Sequence, residues 1–97
     1  MRVLSKRTLR EFWSRHPRAE LPLTVWHDRV AGAQWENFAD VRKTFNSADQ
    51  VGDRIVFNIK GNDYRLVAHV AYGPYHRVLI KFVGTHKEYD RINPGTV

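Results

Sequence analysis

Cysteine is absent from all 97 residues. That absence removes disulfides, thiolate metal ligands and a cysteine nucleophile together, and it fits a reducing compartment, so a cytoplasmic location is expected. Long apolar runs are absent too. Nothing approaches the roughly 20 residues that a membrane-spanning helix needs, and no membrane association is expected. Arg2, Lys6, Arg7 and Arg10 stand at the start with no apolar stretch behind them, which is not the pattern of a secretory signal. Repeats, low-complexity tracts and linkers are missing as well, so residues 1–97 are expected to form a single domain. Metal-ligand spacing is lacking: His27-Asp28 and His76 stand apart, and no His-Glu-x-x-His occurs. There is no Gly-x-Ser-x-Gly elbow and no phosphate-binding glycine loop. Neither a metal nor any other cofactor is expected.

Acidic charge is scarce. Ten Asp and Glu face 16 Lys and Arg, a net charge of +6, with five His besides. This balance points to a polyanionic partner or to a generic basic surface that keeps the chain soluble. An anionic membrane surface would attract the same charge, but no basic amphipathic helix is long enough to favour it. A hydrophobic fraction of 42% is that of ordinary globular domains and argues against disorder.

The first half of the chain reads as helices. Ser5 is a plausible N-cap, and Leu9, Phe12, Trp13 and His16 follow at helical spacing until Pro17 ends the helix at about His16. A second helix begins near Glu20, tolerates Pro22 in its first turn, buries Leu23, Trp26, Val30 and Ala33, and stops at Gly32. Trp35, Phe38, Val41 and Phe45 suggest one or two more helical turns before a polar loop from Asn46 to Asp53. These aromatic stripes are assigned to the core.

From Arg54 the period becomes two. Ile55, Phe57 and Ile59 alternate with Arg54, Val56 and Asn58. After Lys60-Gly61-Asn62, Leu66, Ala68 and Val70 alternate with Arg65, Val67 and His69. After Gly73-Pro74, Val78, Ile80 and Phe82 alternate with Arg77, Leu79 and Lys81. Three strands on short turns predict an antiparallel meander, to which Arg2 to Leu4 adds a possible fourth. The fold class is therefore α+β, with N-terminal helices on the apolar face of a small antiparallel sheet. The other face carries Arg54, Asn58, Arg65, His69, Arg77 and Lys81, with Val56, Val67, Leu79 and Val83 among them. Five of those six polar side chains are Arg, Lys or His and none is acidic, which favours phosphate binding over an ordinary solvated face.

The last strand runs into Gly84-Thr85-His86-Lys87-Glu88-Tyr89-Asp90. Thr85-x-x-Glu88 has the form of a capping box, so a helical turn is expected here, with Glu88 structural. Residues three and four apart then share a face, which gathers His86, Tyr89 and Asp90. An imidazole, a phenol and a carboxylate make a usable acid–base set near neutral pH, although a surface turn without catalytic function satisfies the same pattern.

Two stretches, Val56-Phe57-Asn58-Ile59-Lys60-Gly61-Asn62-Asp63-Tyr64-Arg65-Leu66 and Thr85-His86-Lys87-Glu88-Tyr89-Asp90, resemble the signature segments of the HigB toxins. Leu9-Arg10-Glu11-Phe12-Trp13 with Pro17, then Trp26, Trp35, Phe38, Val41, Phe45 and Ala48-Asp49, are similar to that family as well, so the resemblance covers nearly the whole chain. It implies a RelE-like fold whose open sheet face binds RNA. It also implies a toxin that halts translation by cutting mRNA, commonly on the ribosome, and a helix-turn-helix HigA antitoxin that neutralises it and represses the shared operon. DNA would then be contacted only through the antitoxin.

The chemistry implied is attack of a ribose 2′-OH on the adjacent phosphate, leaving a cyclic phosphate. On that reading His86, Tyr89 and Asp90 handle protons, with the identity of the base left open. Lys60 and Arg65 stabilise the phosphate, and Arg54, Asn58, Asn62, Arg77 and Lys81 position RNA. Two other readings remain at this level: a non-catalytic RNA-binding module on the same face, and an interaction domain for an acidic protein. RNA cleavage in EDTA separates the enzyme from both.

Overall fold

The computed structural model describes residues 1–97. In chain order the elements are β1 (Arg2–Leu4), α1 (Lys6–Arg15), a 3-10 turn (Pro17–Ala19), α2 (Glu20–Ala31), α3 (Phe38–Thr44), β2 (Asp49–Val51), β3 (Arg54–Ile59), β4 (Tyr64–Ala71), β5 (Arg77–Thr85) and α4 (His86–Tyr89). The class is α+β, as the patterning predicts. The sheet has five strands in the order β1-β5-β4-β3-β2. The meander β3-β4-β5 lies at its centre, and β1 joins β5 in parallel, so the sheet is mixed. The extra strand β2 falls inside the stretch expected to be a loop. Its three residues, Asp49-Gln50-Val51, carry no apolar alternation, and backbone pairing to Val56, Ile55 and Arg54 alone makes it a strand.

Helix limits follow local chemistry. Pro17 keeps His16 out of the helical region, at φ −129° and ψ 78°, so α1 stops and the chain turns a corner there. At the other end Ser5 does not act as a side-chain cap. It sits at φ 74° with no side-chain cap bond, and its carbonyl instead accepts the Thr8 N–H at 2.9 Å. Asn37 is the cap that works in the first half: its side chain accepts the Asp40 N–H at 2.9 Å and starts α3.

The core lies between the helices and one sheet face. Leu9 and Phe12 of α1, Leu23, Trp26 and Val30 of α2, and Val41 of α3 pack on Ile55, Phe57, Ile59, Leu66, Ala68, Val70, Val78 and Ile80. The face assignment fails at one point. Val67 pairs with Phe82 and Ala68 with Ile80, so Lys81 is an unpaired bulge residue and the alternation of β5 reverses beyond it. Phe82, expected in the core, therefore shares the far face with Val67, while Val83, expected on that face, packs against the core. Gly84 follows on the far face. A Cβ there would lie 2.5 Å from Phe82 Cζ and 3.2 Å from Glu88 Cβ, so the missing side chain admits both the aromatic ring and α4.

The far face is also less open than expected. Val56 and Val67 lie on it yet are 5% and 0% exposed, outside the main core cluster. The segment after α4 folds back toward β2 and β3: Arg54 Nε donates to the Val97 carbonyl at 3.0 Å, and Gly95 lies beside Val51. The C-terminal tail thus lies against Arg54 and Val51 beside this apolar patch, and the polar site is at one end of the sheet.

Candidate active site

At that end the β3–β4 turn, the β5–α4 junction and the corner after α1 meet. Tyr64 pairs with Thr85, and the His86 N–H donates to the Asp63 carbonyl at 3.2 Å, which ties α4 to the turn. Between them lies a cleft of about 440 Å³ lined by His16, Arg18, Lys60, Asn62, Asp63, Tyr64, Thr85, His86 and Lys87. Three of these are Lys or Arg, two are His, and Asp63 is the one carboxylate. Lys60 Nζ lies 3.1 Å from Asp63 Oδ2 and offsets that charge. The cleft is therefore suited to an anion. Lys60 takes φ 52°, followed by Gly61 at 62°. A lysine in this left-handed region costs on the order of 1 kcal/mol. Here it opens the turn closed by the Asp63 N–H on the Lys60 carbonyl, and Ser5 and His76 take the same region elsewhere.

The capping box forms as expected. Thr85 N–H donates to Glu88 Oε1 at 2.8 Å, and Glu88 N–H donates to Thr85 Oγ1 at 3.2 Å. The turn it starts brings His86 Nδ1 to 3.5 Å from Asp90 Oδ2. Tyr89 turns to the far face, where the Arg65 guanidinium lies 5.9 Å from its ring centroid. Arg65 is itself aimed by the turn: its Nη atoms donate to the Asn62 carbonyl at 3.2 Å, to Asn62 Oδ1 at 3.3 Å and to the Tyr64 carbonyl at 3.3 Å. Of the expected catalytic residues, His86 and Lys60 line the cleft together with Asn62. Asp90 stands beside His86, and Arg65 and Tyr89 lie together on the far face, outside the cleft lining.

Glu88 holds its carboxyl below the usual range. The Thr85 backbone N–H is the main cause, opposed by partial burial and helped by the Thr85 hydroxyl and by attraction to His16 and Arg15. A lowered carboxylate pKa stabilises the fold above its unfolded value and loses that contribution as pH falls through the folded one. Acid below the ordinary Glu range, about pH 4, should therefore release α4 while the core persists. Amide hydrogen exchange at Glu88 and Tyr89 that accelerates ahead of exchange at Leu66 checks this. Simultaneous loss of protection at all three sites would contradict it.

The remaining candidate RNA contacts are dispersed. Asn58 lies opposite Arg65 in the register. The β2 pairing stops at Val56, so Asn58 stands at a free edge and lines a groove with Leu21, Val25 and Arg29. Arg54 contacts Asp53 Oδ1 at 2.9 Å besides Val97, and its side chain is 15% exposed. Lys81 is exposed at the bulge. Arg77 lies at the far end of β5, roughly 25 Å away at strand rise, its guanidinium 5.2 Å from the Tyr75 ring centroid. His76 and His27 stand beside single carboxylates, Glu36 at 2.8 Å and Asp28 at 3.8 Å. No three His, Asp or Glu side chains converge in a way that could hold a metal ion.

The sequence patterns do not single out His16, Arg18 or Lys87 as site residues. Helical spacing puts His16 in a core stripe, and its ring does stack on Phe12, at 4.4 Å between centroids. It also lines the cleft, at the corner where Pro17 ends α1. The His16-Pro17 pair is the available signal.

The profile of the HigB toxins, described as the RelE-like toxic component of a toxin–antitoxin system, matches residues 19–92. Among curated proteins the chain is 27% identical over 93 residues to "mRNA interferase toxin HigB" of Escherichia coli (strain K12), covering 93% of this chain and 88% of that protein. Proteins named "mRNA interferase HigB" from Escherichia coli O157:H7 and Shigella flexneri match at the same 27% over the same shares. No helix is long and apolar enough to cross a membrane. Three quarters of the sequence, including α2, the meander and α4, fit one profile, and the chain belongs to the HigB toxin family of RelE-like toxic components of toxin–antitoxin systems.

Proposed function

We propose that this toxin, acting as one cytoplasmic domain, is an endoribonuclease that cuts mRNA without a metal, on messages held by the ribosome, and that a helix-turn-helix antitoxin of the HigA kind restrains it. DNA is reached only through that antitoxin. The names of its relatives support the reaction class. The observation that carries the reading is the cationic cleft lined by His86 and Lys60, with Asp90 beside the imidazole and Arg65 held by the same turn that carries Lys60. The ribose 2′-OH gives its proton to the His86–Asp90 pair and attacks the adjacent phosphorus. The bond to the 5′-oxygen breaks, that oxygen takes a proton, and a 2′,3′-cyclic phosphate remains. Lys60 and Arg65 stabilise the charge that builds on the phosphoryl oxygens, and Tyr89 supports Arg65 through its ring. Asn62, Asn58, Lys81 and Arg77 extend the RNA track, and Arg54 chiefly holds the tail.

The test uses ribosome-free synthetic RNA in excess EDTA. Cleavage that leaves 2′,3′-cyclic phosphate ends is the expected result. Loss of cleavage in EDTA, restored by a divalent ion on the same RNA, would overturn the metal-free mechanism. RNA that is bound in low salt and left intact, both free and on programmed ribosomes, would make the protein a binding module instead.

A further inference from the structure

The transesterification needs two proton carriers, and the pair on α4 is only one of them. In an in-line displacement the attacking and leaving oxygens occupy opposite apices of phosphorus, so one group rarely serves both in the same step. A second imidazole lines the same cleft, on a different element. We infer that His16 is the general acid of this enzyme, a catalytic residue that donates a proton to the departing 5′-oxygen of the RNA while His86 removes the proton of the 2′-OH. The inference rests on the endoribonuclease reading and extends it to a residue outside both signature stretches.

Three observations carry it. First, His16 sits at the corner that Pro17 creates, at φ −129° and ψ 78°, and shares the cleft with His86, Lys60 and Arg18. Second, its ring is fixed: it stacks on Phe12 with an interplanar angle of 25° and lies 6.1 Å from the Tyr64 ring. A fixed ring is what proton transfer in a defined direction requires. Third, the two histidines differ in their partners. His86 Nδ1 lies beside Asp90, as His27 and His76 lie beside Asp28 and Glu36, whereas His16 has no carboxylate in ion-pair reach and is attracted only from further off by Glu88. A carboxylate on Nδ1 leaves the Nε2 lone pair free to accept, which suits a base. His16, with no carboxylate held against its ring and lining the same cleft, is the one left to donate. The atoms balance: the 2′-OH proton passes to His86, the P–O5′ bond breaks as the P–O2′ bond forms, and the His16 proton completes the 5′-hydroxyl.

The test replaces the 5′-oxygen at the cleavage site by sulfur, because a thiolate leaves without protonation. Ordinary and thio-substituted RNA are compared for wild type, His16→Ala and His86→Ala, free in solution or, where cleavage needs it, on programmed ribosomes. His16→Ala should cut ordinary RNA at least about 100-fold more slowly than wild type. On the thio substrate it should come within a few-fold of wild type, and His86→Ala should stay slow on both. His16→Phe keeps a ring on Phe12 and cannot donate, so it should match His16→Ala and exclude a folding artefact. Unchanged cleavage by both His16 variants, or equal slowing on the two substrates, overturns the inference while the wild-type cuts uphold the endoribonuclease. A wild-type protein that cuts neither RNA overturns the reading beneath it.

Discussion

His86→Ala and Arg65→Ala should each relieve growth arrest on induction while melting within a few degrees of the wild-type protein. On the proposed mechanism the two substitutions remove different parts of one reaction. A positioned general base contributes about 10²- to 10⁴-fold in rate. A cation aimed at developing phosphoryl charge contributes about 10²- to 10³-fold. Either loss takes turnover below what a toxin needs if its threshold lies within two decades of wild type. Neither removes core. His86 is 49% exposed in its side chain and lies outside the apolar cluster. Arg65 is half-buried, and its removal frees Asn62 and Tyr64 carbonyl contacts at the turn, an effect of order 1 kcal/mol and a few degrees of melting temperature. Induced growth curves and thermal melts of the purified variants check both halves. Persistent arrest by both variants would show that the catalytic centre lies elsewhere.

What the sequence disclosed depended on whether a feature was local. Leu66-x-Ala68-x-Val70 announces a strand with one buried face because each residue's neighbour two along shares its environment, and that is how β4 is built. Thr85-x-x-Glu88 announces its helical turn for the same reason: both partners of the capping box lie within four residues. The features that escaped depend on distant partners. Whether Phe82 or Val83 points inward is decided by the bulge opposite Val67–Ala68, a strand away, and nothing in Lys81-Phe82-Val83 marks it. The three residues of β2 become a strand only because β3 offers an edge. The return of the tail to Arg54 joins Val97 to a residue forty-three positions earlier in sequence, and nothing local in either segment marks it. Around the cleft, His86, Lys60 and Asn62 belonged to recognisable strings, while His16 satisfied a helical stripe and gave no reason to look further. One side chain can pack on Phe12 and still reach the cleft, and a periodicity argument assigns it only one of those roles.

Phe57→Ala should be the most damaging single change to the fold, and it should abolish toxicity by a route that a melt distinguishes from loss of chemistry. Phe57 is 1% exposed at the centre of an aromatic cluster. Its ring meets Phe45 edge-on at 5.3 Å and Trp26 edge-on at 5.4 Å, and it stacks with Trp35 at 6.4 Å. Those three partners come from α2, the segment before α3 and the residue after α3, so one phenyl ring joins β3 to most of the helical layer. Removing it costs its transfer free energy and leaves a cavity that tryptophan rings cannot easily fill, about 3–5 kcal/mol. Chains of this size have only about 5–15 kcal/mol of net stability. The melting temperature should fall by about 15 °C or more. The damage reaches the site because β3 ends at Ile59, and Lys60 follows in its left-handed conformation directly from that strand. A strand free to shift on the helices no longer fixes Lys60 against Asp63 or the turn that aims Arg65. Phe57→Leu retains most of the volume and should recover much of both stability and toxicity. His86→Ala, by contrast, loses toxicity with a normal melt. A Phe57→Ala protein that melts like wild type would mean that the aromatic cluster does not hold the two layers together and that aliphatic contacts elsewhere in the core do.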